Sequence, residues 1–146
     1  MKAFPIKVGD TASFSKTVSE SDVYLFAGIT GDFTANHVNQ AYMERSRFGK
    51  RQAHGALLVG FMSTVAGMIA TRTAHDADEL PLSLGYDRIR FIAPVFLGDT
   101  VTVDYRIVAT DPQKRRATAE IEVRNQDGTL VSVATHILAW VANDRR

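Results

Sequence analysis

The stretch HGALLVGFMSTVAGMIATR, residues 54–72, decides the fold. From residue 56 to 72 it is apolar nearly all round, the pattern of a helix covered on most of its sides. At ~1.5 Å per residue such a helix is roughly 25 Å long. Gly60, Ser63, Thr64 and Gly67 fall on one stripe at three- and four-residue spacing, and small side chains there let a neighbour approach closely. The uncharged run over residues 55–71 is short of the ~20 apolar residues a membrane span needs. It also carries Gly, Ser and Thr, so it reads as a buried helix.

Downstream of the helix the chain is strand after strand. After a polar, acidic loop at residues 74–79, a first strand over 82–93 is stopped by Pro94. Val101, Val103, Tyr105 and Ile107 then alternate with Thr102, Asp104 and Arg106, the signature of a half-buried strand. Asp111-Pro112-Gln113-Lys114 turns the chain, and Ala117, Ala119, Ile121 and Val123 alternate in the next strand. Asn125-Gln126-Asp127-Gly128 is a hairpin turn, and residues 130–141 are apolar on both faces, as a central strand is. One long helix beside four successive strands predicts an α+β fold, an antiparallel sheet wrapped around a long central helix. This is the arrangement of the hot-dog fold, which commonly pairs into dimers by extending its sheet.

Upstream of the long helix, residues 11–18 alternate weakly and predict a strand. Ser19-Glu20-Ser21-Asp22 supplies capping side chains for a short helix that runs to about Ile29 and ends at Gly31. Residues 32–37 then form a loop, residues 40–47 a further short helix, and Phe48-Gly49-Lys50-Arg51 a turn.

Bulk properties narrow the function. At 146 residues the chain is read as one domain, residues 1–146, with a net charge of +1 that recommends no nucleic acid. It contains no cysteine, which excludes disulfides, thiol catalysis and zinc-thiolate sites. The amino-terminal MKAFPIKVGD has no apolar run of signal-peptide length, so a soluble cytoplasmic protein without a membrane partner is expected.

The chemistry-bearing residues lie either side of the helix entry. Asp32 and His37 stand five positions apart in GITGDFTANH, residues 28–37. A carboxylate and an imidazole that meet on one water can remove a proton and return it elsewhere, although an Asp after Gly also serves as a turn or capping residue. His54-Gly55 opens the helix, where free backbone N–H groups can stabilise an oxyanion, or simply form a flexible entry. Ser63 lies about two turns in, either reaching the site or bonding back to a helical carbonyl. Arg88 and Arg90, alternating on one strand face, are candidates for phosphates or for plain solvation. Lys114, Arg115 and Arg116 read as a soluble hairpin tip, His75 and His136 as surface or packing residues, and Trp140 as core or dimer interface.

YLFAGITGDFTANH, residues 24–37, resembles the fingerprint of the MaoC-like, R-specific enoyl-CoA hydratases, whose G-D-x-N-P-x-H core carries the catalytic pair. Arg47-Phe48-Gly49 followed by AHGALLVGFMS, and later RIRFIAPVFLGDTV at residues 88–101, are similar to that family's further motifs in the same order. The resemblance implies Asp32 and His37 as the catalytic pair, the Gly55 amide as oxyanion donor and Ser63 as a supporting residue. Where the family has Asn-Pro this chain has Thr34-Ala35, so Thr34 keeps one hydrogen-bonding group and Ala35 does not stiffen the loop. The implied reaction is hydration of a trans-2-enoyl-CoA to the (R)-3-hydroxyacyl-CoA, or the reverse. An acyl-CoA is the substrate, no metal or redox cofactor is needed, and a homodimer or higher homo-oligomer is expected, with His54, Arg88 and Arg90 as further substrate contacts. A hot-dog thioesterase would want a carboxylate on or beside the central helix, and residues 55–72 hold neither Asp nor Glu. A non-catalytic acyl-CoA-binding subunit is the other alternative.

Overall fold

The structure, a computed structural model, describes residues 3–73 and 78–144. His75 and most of the acidic loop lie outside the described residues. Five strands form one antiparallel sheet in the order β1-β3-β4-β5-β2, comprising β1 (Thr11–Thr17), β2 (Glu79–Phe91), β3 (Thr100–Asp111), β4 (Arg116–Arg124) and β5 (Leu130–Ala142). Helices α1 (Glu20–Thr30), α2 (Ala35–Val38), α3 (Gln40–Met43) and α4 (Gly55–Thr73) fall between β1 and β2 in the chain. The expected α+β arrangement is what the chain adopts.

Helix α4 seats Leu58, Phe61, Met62, Val65, Ala66 and Ile69 on the sheet. They meet the inward residues of β3, β4 and β5, among them Val103, Tyr105, Ile107, Ile121, Val123 and Leu138. The alternation seen in the sequence maps directly onto burial: in β3, Val101, Val103, Tyr105 and Ile107 are buried while Asp104 and Arg106 are exposed. Trp140 closes the carboxyl end of α4, its Nε1 donating to Thr73 Oγ1 at 3.0 Å with Phe4 edge-on at 5.0 Å. By length and composition α4 is apolar enough to cross a membrane, and in this fold it is the helix that fills the sheet.

Two expectations for α4 and β2 change. The helix is not covered on most sides: Gly60, Ser63, Thr64, Gly67 and Met68 are not buried within the single chain, so the small-residue stripe is its open face. In β2 the pairing with β5 slips between Ser83 and Gly85 and again between Asp87 and Arg90. The second bulge puts Arg88 at φ 53 and breaks the regular alternation expected of Arg88 and Arg90. Arg115 also departs from a solvated tip, since its guanidinium is ion-paired with Glu79.

Helix α1 starts where the sequence says it must. Ser19 accepts from the Asp22 backbone N–H at 3.1 Å and Asp22 accepts from the Ser19 N–H at 2.8 Å, a reciprocal capping box. Gly31 ends it in the left-handed region, φ 80, with its N–H on the Ala27 carbonyl at 2.8 Å. The loop expected over 32–37 is shorter than that, because residues 35–38 make a single helical turn. The helix expected over 40–47 closes at Met43, where Ser46 donates its hydroxyl to the Met43 carbonyl at 2.7 Å and tightens the chain into turns.

Candidate active site

The segment between α3 and α4 is pinned to the rest of the molecule by hydrogen bonds on both sides. Gln52 N–H donates to the Asn36 carbonyl at 3.0 Å, and Ala53 N–H donates to the Val95 carbonyl at 2.7 Å. Arg51 reaches back to α1, ion-paired with Glu20 at 2.7 Å and donating to the Tyr24 hydroxyl at 2.8 Å. These contacts carry His54 and Gly55 to the loop that follows α1, and Asp32, His37 and His54 meet there. A carboxylate oxygen of Asp32 and a ring nitrogen of each histidine lie within 4.8 Å of one another.

The tautomers follow from the partners. His37 Nδ1 is 2.8 Å from the Gln52 carbonyl, and a carbonyl oxygen only accepts, so Nδ1 carries the hydrogen and the neutral ring keeps its lone pair on Nε2. His54 Nε2 likewise donates to the Asp32 carbonyl at 2.9 Å. The two imidazoles are stacked with centroids 3.8 Å apart, and Phe26 closes the other side of His54 at 4.6 Å. His54 is 1% exposed and therefore lies beneath the site, away from the solvent-facing position expected of a substrate contact.

Asp32 is exposed and held as an anion. Thr34 donates both its hydroxyl, at 2.5 Å, and its backbone N–H, at 3.2 Å, to Asp32 Oδ1. The Thr34 hydroxyl and then its N–H hold the carboxyl below the usual range, and the nearby His54 and His37 act in the same direction. Thr34, which departs from the family's Asn, is thus bonded directly to the catalytic candidate.

A pocket of about 370 Å³ opens beside the histidines, with His37, Gly55, Arg47, Phe48, Leu58 and Phe91 in its wall. Gly55 starts α4 there, and no larger residue fits: a Cβ at this position would lie 2.7 Å from two ring carbons of Phe91. Arg47 stacks over Phe48 at 4.7 Å and Lys50 over Phe96 at 4.4 Å, which gives the neighbourhood a cationic side. Arg88 and Arg90 are exposed and do not line this pocket; Arg90 donates to the Ile89 carbonyl at 2.7 Å. Ser63 is exposed on α4, eight residues on from Gly55, with the Tyr86 side chain beside it, and does not line the pocket either.

Among the described residues, five buried polar side-chain atoms have no hydrogen-bond partner, and four belong to these segments: Asn36 Oδ1, Arg51 Nε, Gln52 Nε2 and His54 Nδ1. Each such group costs about 1–3 kcal/mol, so their concentration here marks a site whose wall is completed by something else. Asn36, Gln52, Arg47 and Phe91 were not among the residues singled out from the sequence, because a missing partner is a tertiary property. The position of Asn36 next to His37 in the chain was the only available signal.

Comparison with known proteins agrees with the motifs. The chain is 41% identical over 114 residues to an (R)-specific enoyl-CoA hydratase of Rhodospirillum rubrum, covering 77% of this chain and 74% of that one. It is 37% identical over 112 residues to a 3-hydroxybutyryl-CoA dehydratase of Methylorubrum extorquens, covering 77% and 67%. The structure resembles that of an (R)-hydratase from A. caviae involved in PHA biosynthesis, with a TM-score of 0.83, 27% identity, and 94% and 98% of the two chains covered. The MaoC-like domain family matches residues 5–130, nearly the whole of the sheet, the central helix and the site, and the chain belongs to that family.

Proposed function

We propose that the protein is an (R)-specific enoyl-CoA hydratase, working in either direction between a trans-2-enoyl-CoA and the (R)-3-hydroxyacyl-CoA. The observation that carries this reading is the convergence of Asp32, His37 and the Gly55 helix start on one pocket, from segments that are separate in the chain. The names of the R. rubrum and M. extorquens relatives support the same substrate class.

In this reading a water sits between the Asp32 carboxylate and His37 Nε2. Thr34 keeps Asp32 ionised but weakly basic, so Asp32 directs the water and offsets the charge that develops on the imidazole. His37 Nε2 takes the proton as the water oxygen bonds to the β-carbon, and the double-bond electrons move toward the thioester. The Gly55 N–H, one of the unpaired donors of a helix start, holds the enolate-like oxygen. Protonation of the α-carbon from the same face then gives the hydroxyacyl thioester, with one water consumed and the pair returned to its starting state. His54 is a positioning residue that fixes the Asp32 backbone and stacks on His37. The mechanism uses no metal or redox cofactor. Phosphates of the CoA fall to Arg47 and Lys50 on the pocket side more readily than to Arg88 and Arg90.

We place the enzyme in the cytoplasm as one domain per chain and as a homodimer. Among the described residues, edge strand β2 has no strand paired on its outer side, Leu80 and Leu82 on it are exposed, and the small-residue face of α4 is open. The test of the activity is incubation with crotonyl-CoA, following loss of the enoyl-thioester absorbance. The (R)-3-hydroxybutyryl thioester is the expected product; the (S) product, or release of free CoA as a thioesterase would give, overturns the reading.

A further inference from the structure

Two of the unpaired atoms belong to carboxamides that share a wall. Asn36 and Gln52 both line the pocket with His37 and Gly55, and their backbones are joined by the 3.0 Å bond from the Gln52 N–H to the Asn36 carbonyl. Asn36 leaves an acceptor, Oδ1, without a donor, and Gln52 leaves a donor, Nε2, without an acceptor. One acceptor and one donor on neighbouring backbone positions are the complement of a secondary amide, which offers one N–H and one C=O.

The hydratase reading, on which this inference rests, supplies such a group at the right place. An acyl thioester of pantetheine carries two methylenes after the sulfur and then a secondary amide, so that amide lies three bonds from the sulfur. Wherever the thioester carbonyl meets the Gly55 N–H, the amide falls a few ångströms away along the same wall. Gln52 stands three residues before Gly55, and Asn36 stands next to His37. We propose that Asn36 and Gln52 form a receptor for this first pantetheine amide, its N–H donating to Asn36 Oδ1 and its carbonyl accepting from Gln52 Nε2. The pair then sets the depth at which the thioester stops, and recognises the arm rather than the acyl group or the nucleotide.

Two small thioesters isolate the contact. Crotonyl-N-acetylcysteamine keeps the amide, whereas the crotonyl thioester of 2-mercaptoethyl acetate replaces its N–H by an ester oxygen and keeps the carbonyl. The wild type should favour the first by about 10-fold in kcat/KM, equivalent to about 1.4 kcal/mol. Asn36→Leu should remove that preference and bring both substrates to the lower level. Gln52→Leu should lower both by a similar factor while leaving the preference in place. Neither substitution should lower the thermal midpoint, because each removes an unpaired buried group; a purely structural role would lower it. Equal kcat/KM for the two thioesters in the wild type, or a preference that survives in Asn36→Leu, overturns the receptor while leaving the hydratase reading intact, and assigns those atoms to bound water. Failure of both thioesters and of crotonyl-CoA to react overturns the receptor together with the hydratase reading.

Discussion

His136 lies on the buried face of β5 with no exposed surface. Each ring nitrogen meets a hydroxyl, Nδ1 that of Tyr105 at 2.8 Å and Nε2 that of Ser83 at 2.7 Å, and the Tyr86 ring stacks obliquely at 4.5 Å. None of these neighbours is charged, and burial pushes the imidazole pKa down from 6.5 to about 4. The folded value is below the unfolded one, so over this interval the unfolded chain binds the extra proton. The stability gained by keeping the ring neutral is therefore complete above the unfolded value and is lost as pH falls from 6.5 toward 4. At about 1.36 kcal/mol per pH unit, the whole window is worth roughly 3 kcal/mol, a large part of the stability of an ordinary domain. The assay is urea unfolding at pH 7 and pH 4.5 of wild type and of His136→Gln, which keeps a donor and an acceptor for the two hydroxyls but does not titrate. Other titrating groups are common to both proteins, so the wild type should lose about 2.5 kcal/mol more than the variant between the two pH values. Equal losses would refute the reasoning, because His136 would then be taking up its proton in the folded state.

Gly55→Ala should force the Phe91 ring away from the start of α4 and lower kcat/KM by about 100-fold, with partial recovery on adding Phe91→Leu; a fully active single variant in steady-state assays would show that the close approach is unimportant. Thr34→Val should remove the main hydrogen bond that holds Asp32 below the carboxylate range, so the carboxyl carbon resonance of Asp32 should titrate at higher pH than in wild type. Ser19→Ala breaks the capping box of the helix that delivers Asp32, and should cost about 1 kcal/mol in chemical unfolding.

The elements that were legible in the sequence are those in which one periodicity extends over many residues. Alternation from Val101 to Ile107 and from Ala117 to Val123 translated directly into inward and outward faces, because a strand buried on one side leaves no other register. The cap at Ser19 and the stop at Gly31 were legible for a local reason, as both act through the nearest backbone groups. The β2 bulge at Arg88 was not, since pairing with β5 and not the β2 sequence decides where an extra residue is accommodated. Within the site, the spacing of Asp32 and His37 was informative because one loop and one helical turn bring them together. The position of His54 beneath them was not, because a His before a helix carries no sign of which way its ring turns; the ring went inward to meet the Asp32 carbonyl and Phe26. The open face of α4 was hidden for a related reason: small residues satisfy both a tight contact and an exposed surface.

The central claim is that Asp32 and His37 act as one unit on one water. Its most direct test is the single-turnover rate of crotonyl-CoA hydration by wild type, Asp32→Asn, His37→Gln and the double variant. Each single change should slow the step by about 10²–10⁴-fold, with the double variant little slower than the worse single one, as for groups that share one task. A wild-type rate in either single variant, or losses that multiply in the double variant, would contradict a shared water and place the chemistry elsewhere in the pocket.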